Sequence, residues 1–265
     1  MAADALIGYS GFVGSSLLRQ RAFDARFRST DIAGVANRSF GLVVCAGAPA
    51  QKWIANREPV RDRAAIDALI AHLRSLVCES FVLISTIDVF SHPIGVDEQT
   101  PVDESGLHAY GLNRRMLEKF VAEHFPQSLV VRLPGLVGPG LRKNVIYDIL
   151  NDHNLDVIDS RSVFQFYPMV NLWSDIETAL RGGLRLLHLT AEPVSVGEVA
   201  REGFARSFAQ HLAGTPAHYD MRTRHAALFG TVGAYQYSRR ETLLAVRAYA
   251  QSEPRAAGMP RAGAR

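Results

Sequence analysis

The chain has 265 residues, of which 48% are hydrophobic, and it carries a formal net charge of +3. This length and composition suit one large α/β domain, or a domain with a smaller lobe, and exclude a predominantly disordered protein. The basic excess is scattered arginine without interleaved aromatic residues, so we expect no nucleic-acid surface. We expect a cytoplasmic protein without a membrane segment, because no apolar stretch approaches membrane length and no signal-peptide pattern opens the sequence.

Cysteine and histidine show no pattern typical of metal binding. Cys45 and Cys78 both lie in apolar runs, and neither has a partner at metal or disulfide spacing. The nine histidines also show no ligand spacing. We therefore expect no metal site and two buried, reduced thiols.

The N-terminal stretch has the order strand, glycine turn, helix. Residues 5–7 are apolar, Gly8, Gly11 and Gly14 follow, and a helical pattern continues from there. Such glycines permit a tight turn, let a backbone N–H approach a pyrophosphate, and let the helix pack closely on the sheet. Taken alone, three spaced glycines fit a plain strand-to-helix turn equally well. With its flanking elements the stretch predicts a dinucleotide-binding turn made of Gly8, Ser10, Gly11, Phe12, Val13 and Gly14.

Apolar runs further along the chain predict four more strands. They cover 25–29, 42–46, 81–84 and 129–133, with amphipathic helices at 62–77 and from about Tyr110 onward. The second and third strands are too close for a full crossover helix, so the sheet is abbreviated there. Ala46, Gly47 and Ala48 end the third strand in small residues, as expected where backbone passes near a ligand. This alternation predicts an α/β fold with a doubly wound, Rossmann-type parallel sheet.

The second half of the chain has a looser pattern. It predicts helices at 144–150, 174–182 and 196–208 and a strand at 186–189. We interpret residues 1–140 as a dinucleotide-binding core and 141–251 as a smaller, partly helical substrate lobe interleaved with that core. Residues 252–265 contain Pro, Gly, Ala and Arg without periodicity, and they are predicted to be a disordered tail.

Several motifs follow one another in a recognisable order. They read ALIGYSGFVG, VVCAGAPA, FVLISTIDVF, AYGLNRRMLEKFV and VVRLPGLVGPG. This ordered set resembles the extended short-chain dehydrogenase/reductase superfamily, of the NAD-dependent epimerase/dehydratase type, over most of residues 4–205. The resemblance implies NAD or NADP as the cofactor, and Pro134 falls among the positions that it implies for cofactor binding.

The resemblance also implies an acid–base site. Tyr110 matches the family's catalytic tyrosine, and Ser85 or Thr86 matches the hydroxyl residue that positions the substrate. The family has a lysine four residues after the tyrosine, where this chain has Arg114. Positions i and i+4 share a helix face, so Arg114 can still bring positive charge to the phenol and donate to ribose hydroxyls. It cannot lose a proton, so any proton relay through this position would be impaired.

The end of the second strand bears on the choice between NAD and NADP. An acid there suits the free 2′-hydroxyl and an arginine suits a 2′-phosphate, and both Asp31 and Arg28 are present. The choice stays open, although Asp31, roughly twenty residues beyond the turn, favours NAD. Lys52 either reaches a phosphate or is an ordinary surface lysine.

These expectations combine into one function with an alternative. The chain is predicted to be an NAD(P)-dependent oxidoreductase or epimerase acting on a small-molecule sugar, expected to be nucleotide-linked, with Tyr110 as general acid/base. The resemblance implies a homodimer formed through the helices at 62–77 and 109–124. Because Arg114 replaces the lysine, the alternative is a catalytically weakened NAD(P)-binding sensor or partner-binding protein.

Overall fold

The computed structural model describes residues 2–256. In chain order, its strands and α-helices are β1 (Ala5–Ile7), α1 (Phe12–Gln20), β2 (Ala25–Phe27), β3 (Ser39–Cys45), α2 (Lys52–Arg57), α3 (Pro59–Leu73), β4 (Val77–Thr86), β5 (Ile94–Val96), α4 (Ala109–His124), β6 (Ser128–Leu133), β7 (Gly135–Val137), α5 (Val145–Asn151), β8 (Val163–Phe164), β9 (Phe166–Pro168), α6 (Leu172–Arg181), β10 (Leu186–His188), β11 (Val194–Ser195), α7 (Val196–Glu198), β12 (Asp220–Met221) and α8 (Arg239–Ser252).

A parallel sheet of six strands organises the first part of the described chain. Its strand order is β10-β6-β4-β3-β1-β2, and every pairing in it is parallel. Ile7 lies opposite both Phe27 and Cys45, so the carboxyl ends of β1, β2 and β3 meet at one edge. The chain leaves β1 towards β2 and then returns to β3 on the other side of β1. This reversal is the topological switch point where doubly wound sheets bind ligands, and the predicted fold class is confirmed.

The connection between β2 and β3 is short, as the sequence predicts. A single 3-10 turn, Ile32–Val35, replaces a crossover helix. Helices α3 and α4 pack against one another, and α4 contacts β4 and β6. Their apolar faces include Ile66, Leu73 and Leu117, all fully buried. Burial on both faces explains why the central strands are nearly continuous apolar runs.

Among the described residues the chain divides into two compact units. The first contains the residues up to Pro93 together with Asp97–Leu133 and Leu172–His188. The second contains Ile94–Val96, Pro134–Asn171 and the residues from Leu189 onward. One boundary between the units falls between Leu133 and Pro134, and the division at residue 140 stays a prediction. The strand predicted at 186–189 belongs to the first unit, because β10 pairs with β6.

The second unit has small sheets and a C-terminal helix. β7 pairs with β9 and β5 with β12 in parallel, while β8 and β11 are antiparallel. The helix predicted at 196–208 is wrong in extent: α7 continues as a π-helix over Val199–Gly203 and stops there. Ala205 adopts a left-handed φ of +50°, so a regular helix cannot continue through it. Helix α8 was not predicted, although Ser238 and Glu241 form a capping box at its start.

The C-terminal prediction is partly corrected and partly outside the described residues. Ser252 closes α8, and Glu253 accepts a hydrogen bond from the backbone N–H of Gly140 at 3.0 Å. The backbone N–H of Ala256 donates to Asn151 Oδ1 at 2.7 Å. Residues 252–256 are therefore ordered by specific contacts, and 257–265 lie outside the described residues. Within the part of the chain that is described, no helix is long and apolar enough to cross a membrane.

Candidate active site

The glycine turn connects β1 to α1 at the switch point of the sheet. Gly8 has a left-handed φ of +84°, and its backbone N–H donates to Phe27 O at 2.7 Å. A Cβ at Gly8 would lie less than 3.0 Å from the carbonyl of Ala46, and one at Gly14 less than 3.0 Å from the carbonyl of Gly8. Both positions therefore need glycine, because a side chain would displace backbone rather than a flexible neighbour.

Gly11 differs from the other two glycines because space surrounds it. It is the N-cap residue of α1, it is exposed, and an added Cβ would meet only Gly8 O at 3.5 Å. Ser10 before it is exposed, and Phe12 and Val13 begin the helix. The first N–H groups of a helix attract anions, so this open backbone suits a phosphate group. A side chain at Gly11 would fill the space that such a group requires.

The two neighbouring strand ends complete the predicted cofactor region. Ala46 donates its N–H to Ile7 O at 2.8 Å, which holds the segment of Ala46, Gly47 and Ala48 beside the glycine turn. Beyond β2, the Asp31 carboxylate accepts from the backbone N–H of Arg28 at 2.5 Å. The Arg28 and Asp31 side chains lie 4.0 Å apart and are about half exposed. An acidic and a basic side chain are thus both present, and the geometry favours neither the 2′-hydroxyl of NAD nor the 2′-phosphate of NADP.

Tyr110 and Thr86 lie together at the carboxyl end of β4. Thr86 is the last residue of β4 and Tyr110 the second residue of α4, and the Thr86 hydroxyl acts on the pKa of the Tyr110 phenol. The backbone N–H of Tyr110 donates to Asn56 Oδ1 at 3.0 Å, which ties α4 to α2. Burial raises the pKa of the Tyr110 phenol, while the Arg114 charge and the Thr86 hydrogen bond lower it. The phenol is therefore a buried acid with positive charge beside it.

The structure separates Ser85 from Thr86. Ser85 Oγ donates to Glu118 Oε1 at 2.6 Å, and both side chains are buried. Thr86 instead contacts Tyr110 and Asp88. Successive strand residues point to opposite faces, so only one of the two hydroxyls can face the tyrosine. Thr86 is in that position.

Arg114 lies against the face of the Tyr110 ring, with 3.9 Å from its guanidinium carbon to the ring centroid. It is 3% exposed and forms an ion pair with Asp62 of α3. It also donates to the carbonyl of Pro49. Asn113 Nδ2 donates to the same Asp62 carboxylate at 2.7 Å. The charge of Arg114 therefore acts on the phenol across the ring, while its Nη donors are bonded to protein groups.

Sequence reasoning did not predict a charged pair near the tyrosine. Lys52, the first residue of α2, places Nζ at 2.6 Å from Asp88 Oδ1. The backbone N–H of Asp88 donates to Thr86 Oγ1 at 3.1 Å. Gly111 packs so tightly on the Asp88 carbonyl that a Cβ would lie less than 3.0 Å from it. Asp88 was visible in the STIDVF motif, but spacing along the chain gave no sign of its pairing with Lys52.

The remaining predicted position belongs to the other unit. Pro134 directly follows β6 and is the first residue of the Pro134–Asn171 segment.

A histidine at the start of α4, His108, was not predicted. It caps α4, and its Nδ1 accepts from the backbone N–H of Gly111 at 3.1 Å. Burial lowers the pKa of His108, and the positive charge of Lys52 lowers it further.

Comparisons with known proteins identify the fold. No family model and no curated protein matches the sequence. Among solved structures, dTDP-4-dehydrorhamnose reductase from Bacillus anthracis in complex with NADP has a TM-score of 0.71 and 16% identity, with 96% of this chain and 99% of that one covered. WbmG from Bordetella bronchiseptica in complex with NAD and UDP has a TM-score of 0.73 and 15% identity, with 94% and 93% covered. TunA, an NAD-dependent NDP-hexosamine 5,6-dehydratase, has a TM-score of 0.73 and 15% identity, with 96% and 99% covered. The chain shares the fold of these proteins over nearly its full length.

Proposed function

We propose that this chain is an NAD(P)-dependent oxidoreductase or epimerase that acts on a nucleotide-linked sugar. The observation that carries the proposal is the buried Tyr110 phenol, which lies near the Thr86 hydroxyl and is faced by the charge of Arg114. It lies in the same unit as a glycine turn at the switch point of the sheet. The similar structures named above include a sugar-nucleotide reductase and a sugar-nucleotide dehydratase, which supports the same reading.

The glycine turn fits the pyrophosphate of a dinucleotide. Gly8 and Gly14 have no space for a side chain, whereas Gly11 leaves its backbone open at the start of α1. We infer that Ser10, Gly11, Phe12 and Val13 hold the pyrophosphate, with Ala46, Gly47 and Ala48 beside it. Either Asp31 or Arg28 then contacts the adenosine ribose, and NAD or NADP remains the proposed cofactor. When bound, the nicotinamide supplies or accepts a hydride at the substrate carbon.

Tyr110 moves the proton that accompanies this chemistry. During reduction the phenol donates its proton to the carbonyl oxygen, and during oxidation the phenolate accepts a proton from the hydroxyl. The Thr86 hydroxyl near the phenol lowers its pKa. Arg114 stabilises the phenolate from the ring face, and it stays charged at every pH relevant to catalysis.

Binding of the dinucleotide is tested by blocking the open glycine. We expect Gly11→Val to weaken binding of NAD(H) or NADP(H) by about tenfold or more, because its side chain occupies the anion space. Calorimetric titration of the wild type and the variant with all four dinucleotides measures this effect. Gly106→Val is the matched control, since an added Cβ there lies 3.7 Å from Ser91 and outside the turn. Equal affinity of Gly11→Val and wild type would contradict the assignment.

The second candidate function is an NAD(P)-binding sensor without turnover. It is favoured by one observation, that the Arg114 Nη donors are bonded to Asp62 and Pro49. The two candidates differ when the wild type is assayed with dTDP-4-dehydrorhamnose, UDP-galactose and UDP-glucuronic acid. Turnover of any of these supports the enzyme, whereas dinucleotide binding without turnover favours the sensor.

Arg114→Lys shows whether the arginine limits catalysis. We expect a loss of about 1–3 kcal/mol in the free energy of unfolding, because one ammonium cannot replace the fork that bonds both Asp62 and Pro49. Turnover is expected not to rise. Urea unfolding and the same substrate assays measure both quantities, and a clear gain in turnover would show that the arginine weakens the enzyme.

A homodimer through α3 and α4 stays a prediction that light scattering tests.

A further inference from the structure

Lys52 lies near the tyrosine motif but belongs to a different helix. In that motif, Arg114 stands where the resemblance implies a lysine. Lys52 belongs to α2, and its ammonium contacts Asp88, which in turn contacts Thr86. We propose that Lys52 and Asp88 are a positioning pair that tunes the protonation of Tyr110. This inference rests on the proposed function, and it adds Lys52 to Arg114 as a second cation that favours the phenolate.

The contacts from Lys52 to the phenol run through a short and well-fixed path. Lys52 Nζ lies 2.6 Å from Asp88 Oδ1, and their side chains are 38% and 16% exposed. Asp88 is held on both sides, since its backbone N–H donates to Thr86 Oγ1 and its carbonyl packs on Gly111. Thr86 Oγ1 donates to Asp88 Oδ2 at 3.4 Å, and the Thr86 hydroxyl acts on the pKa of the Tyr110 phenol. A charge change at either end of this path is therefore felt at the phenol.

The two charges of the pair act on the phenol with opposite signs. The Asp88 carboxylate disfavours the phenolate, and the Lys52 ammonium favours it. The other charged or titratable groups around the phenol are Arg114 of α4, His108 at the N-cap of α4 and Asp62 of α3, the last of which is paired with Arg114. Of the two cations, Arg114 is permanently charged. The Lys52 charge instead acts together with the Asp88 carboxylate with which it pairs.

The experiment measures the titration of Tyr110 directly and without cofactor. The full chain is labelled with 3,5-difluorotyrosine, whose phenol is more acidic than that of tyrosine, and Tyr110→Phe assigns the resonance by ¹⁹F NMR. We expect Lys52→Gln to raise the titration midpoint by roughly one pH unit and Asp88→Asn to lower it by a similar amount. The double variant Lys52→Gln/Asp88→Asn is expected to return close to the wild-type midpoint. Lys119→Gln, which breaks a surface pair of the same 2.6 Å length with Glu104, is the control and is expected to shift nothing.

Opposite shifts distinguish an electrostatic role from a structural one. If the pair only held α2 in place, both single variants would disturb Tyr110 in the same direction, and this result would overturn the proposal. Absence of a shift in either single variant would also overturn it. Asp88→Asn keeps the shape of the side chain, so it provides a test even if Lys52→Gln folds poorly. Failure of the wild type to bind any dinucleotide would refute the proposed function while leaving the opposite shifts intact.

Discussion

Replacing Tyr110 with phenylalanine is expected to lower turnover by about 10²- to 10⁴-fold without changing dinucleotide affinity. The substitution removes one hydroxyl, which is the group proposed to exchange a proton with the substrate oxygen. The ring remains, so the packing of Arg114 at 3.9 Å from the ring centroid is kept. The backbone bond from Tyr110 to Asn56 is also kept, because it does not involve the side chain. Steady-state kinetics and calorimetric titration with the preferred dinucleotide measure the two quantities separately.

The matched control for this variant is Tyr147→Phe. Tyr147 lies in α5, is half-buried, and packs edge-on against His153 with 6.4 Å between ring centroids. Loss of its hydroxyl is expected to leave turnover unchanged.

The pH dependence of turnover provides a second test of Tyr110. Burial raises the pKa of Tyr110, so its acid form dominates at neutral pH. Oxidation needs the phenolate, and it is therefore expected to accelerate as the pH rises. If Tyr110→Phe kept the turnover and the pH dependence of the wild type, Tyr110 would be excluded as the general acid/base.

The sheet could be predicted because its central strands carry their own signal. β3, β4 and β6 are apolar runs that are buried on both faces, and such runs are visible without knowledge of their neighbours. The predicted strand at 81–84 covers only part of β4, because Val77 to Ser80 are partly exposed and do not continue the apolar run. α2 was missed because six residues are too few for a periodic pattern. The pattern of apolar residues along the chain therefore predicts the buried strands, but it does not predict their partly exposed ends or the short helices.

The site could be predicted only where its residues lie in one motif. Tyr110 and Thr86 belong to recognisable motifs, and the structure brings them together. The partners of Arg114 and Asp88 come from other elements: Asp62 lies 52 residues from Arg114, and Lys52 lies 36 residues from Asp88. The choice between Ser85 and Thr86 depended on which face of β4 the tyrosine approaches. These facts are set by the packing of α2, α3 and α4, which spacing along the chain does not encode.

The largest expected effect on stability comes from Glu118, beneath the candidate site. Arg132 and Glu118 are each 2% exposed, and they form a two-pronged pair with Nε–Oε1 at 2.9 Å and Nη2–Oε2 at 2.7 Å. Ser85 donates to the same carboxylate, and His188 Nε2 lies 3.3 Å from Arg132 Nη1. Glu118→Ala is therefore expected to cost about 3–5 kcal/mol, because it leaves a buried guanidinium without a counter-charge. Urea unfolding followed by circular dichroism measures this loss.

Comparison with a surface pair separates burial from charge pairing as the cause. Glu177→Ala removes an exposed pair with Arg181, and it is expected to cost no more than about 0.5 kcal/mol. Burial is the largest influence on Glu118 and raises the pKa of its carboxyl, but the bonds from Arg132 and Ser85 outweigh it and hold the pKa below 4.5. A pKa that is lower in the folded state contributes stability above 4.5, and this contribution is lost as the pH falls through the folded value. The gap between wild type and Glu118→Ala should therefore be constant at neutral pH and narrow in acid. A gap no larger than that of Glu177→Ala would mean that Arg132 finds another partner when the carboxylate is removed.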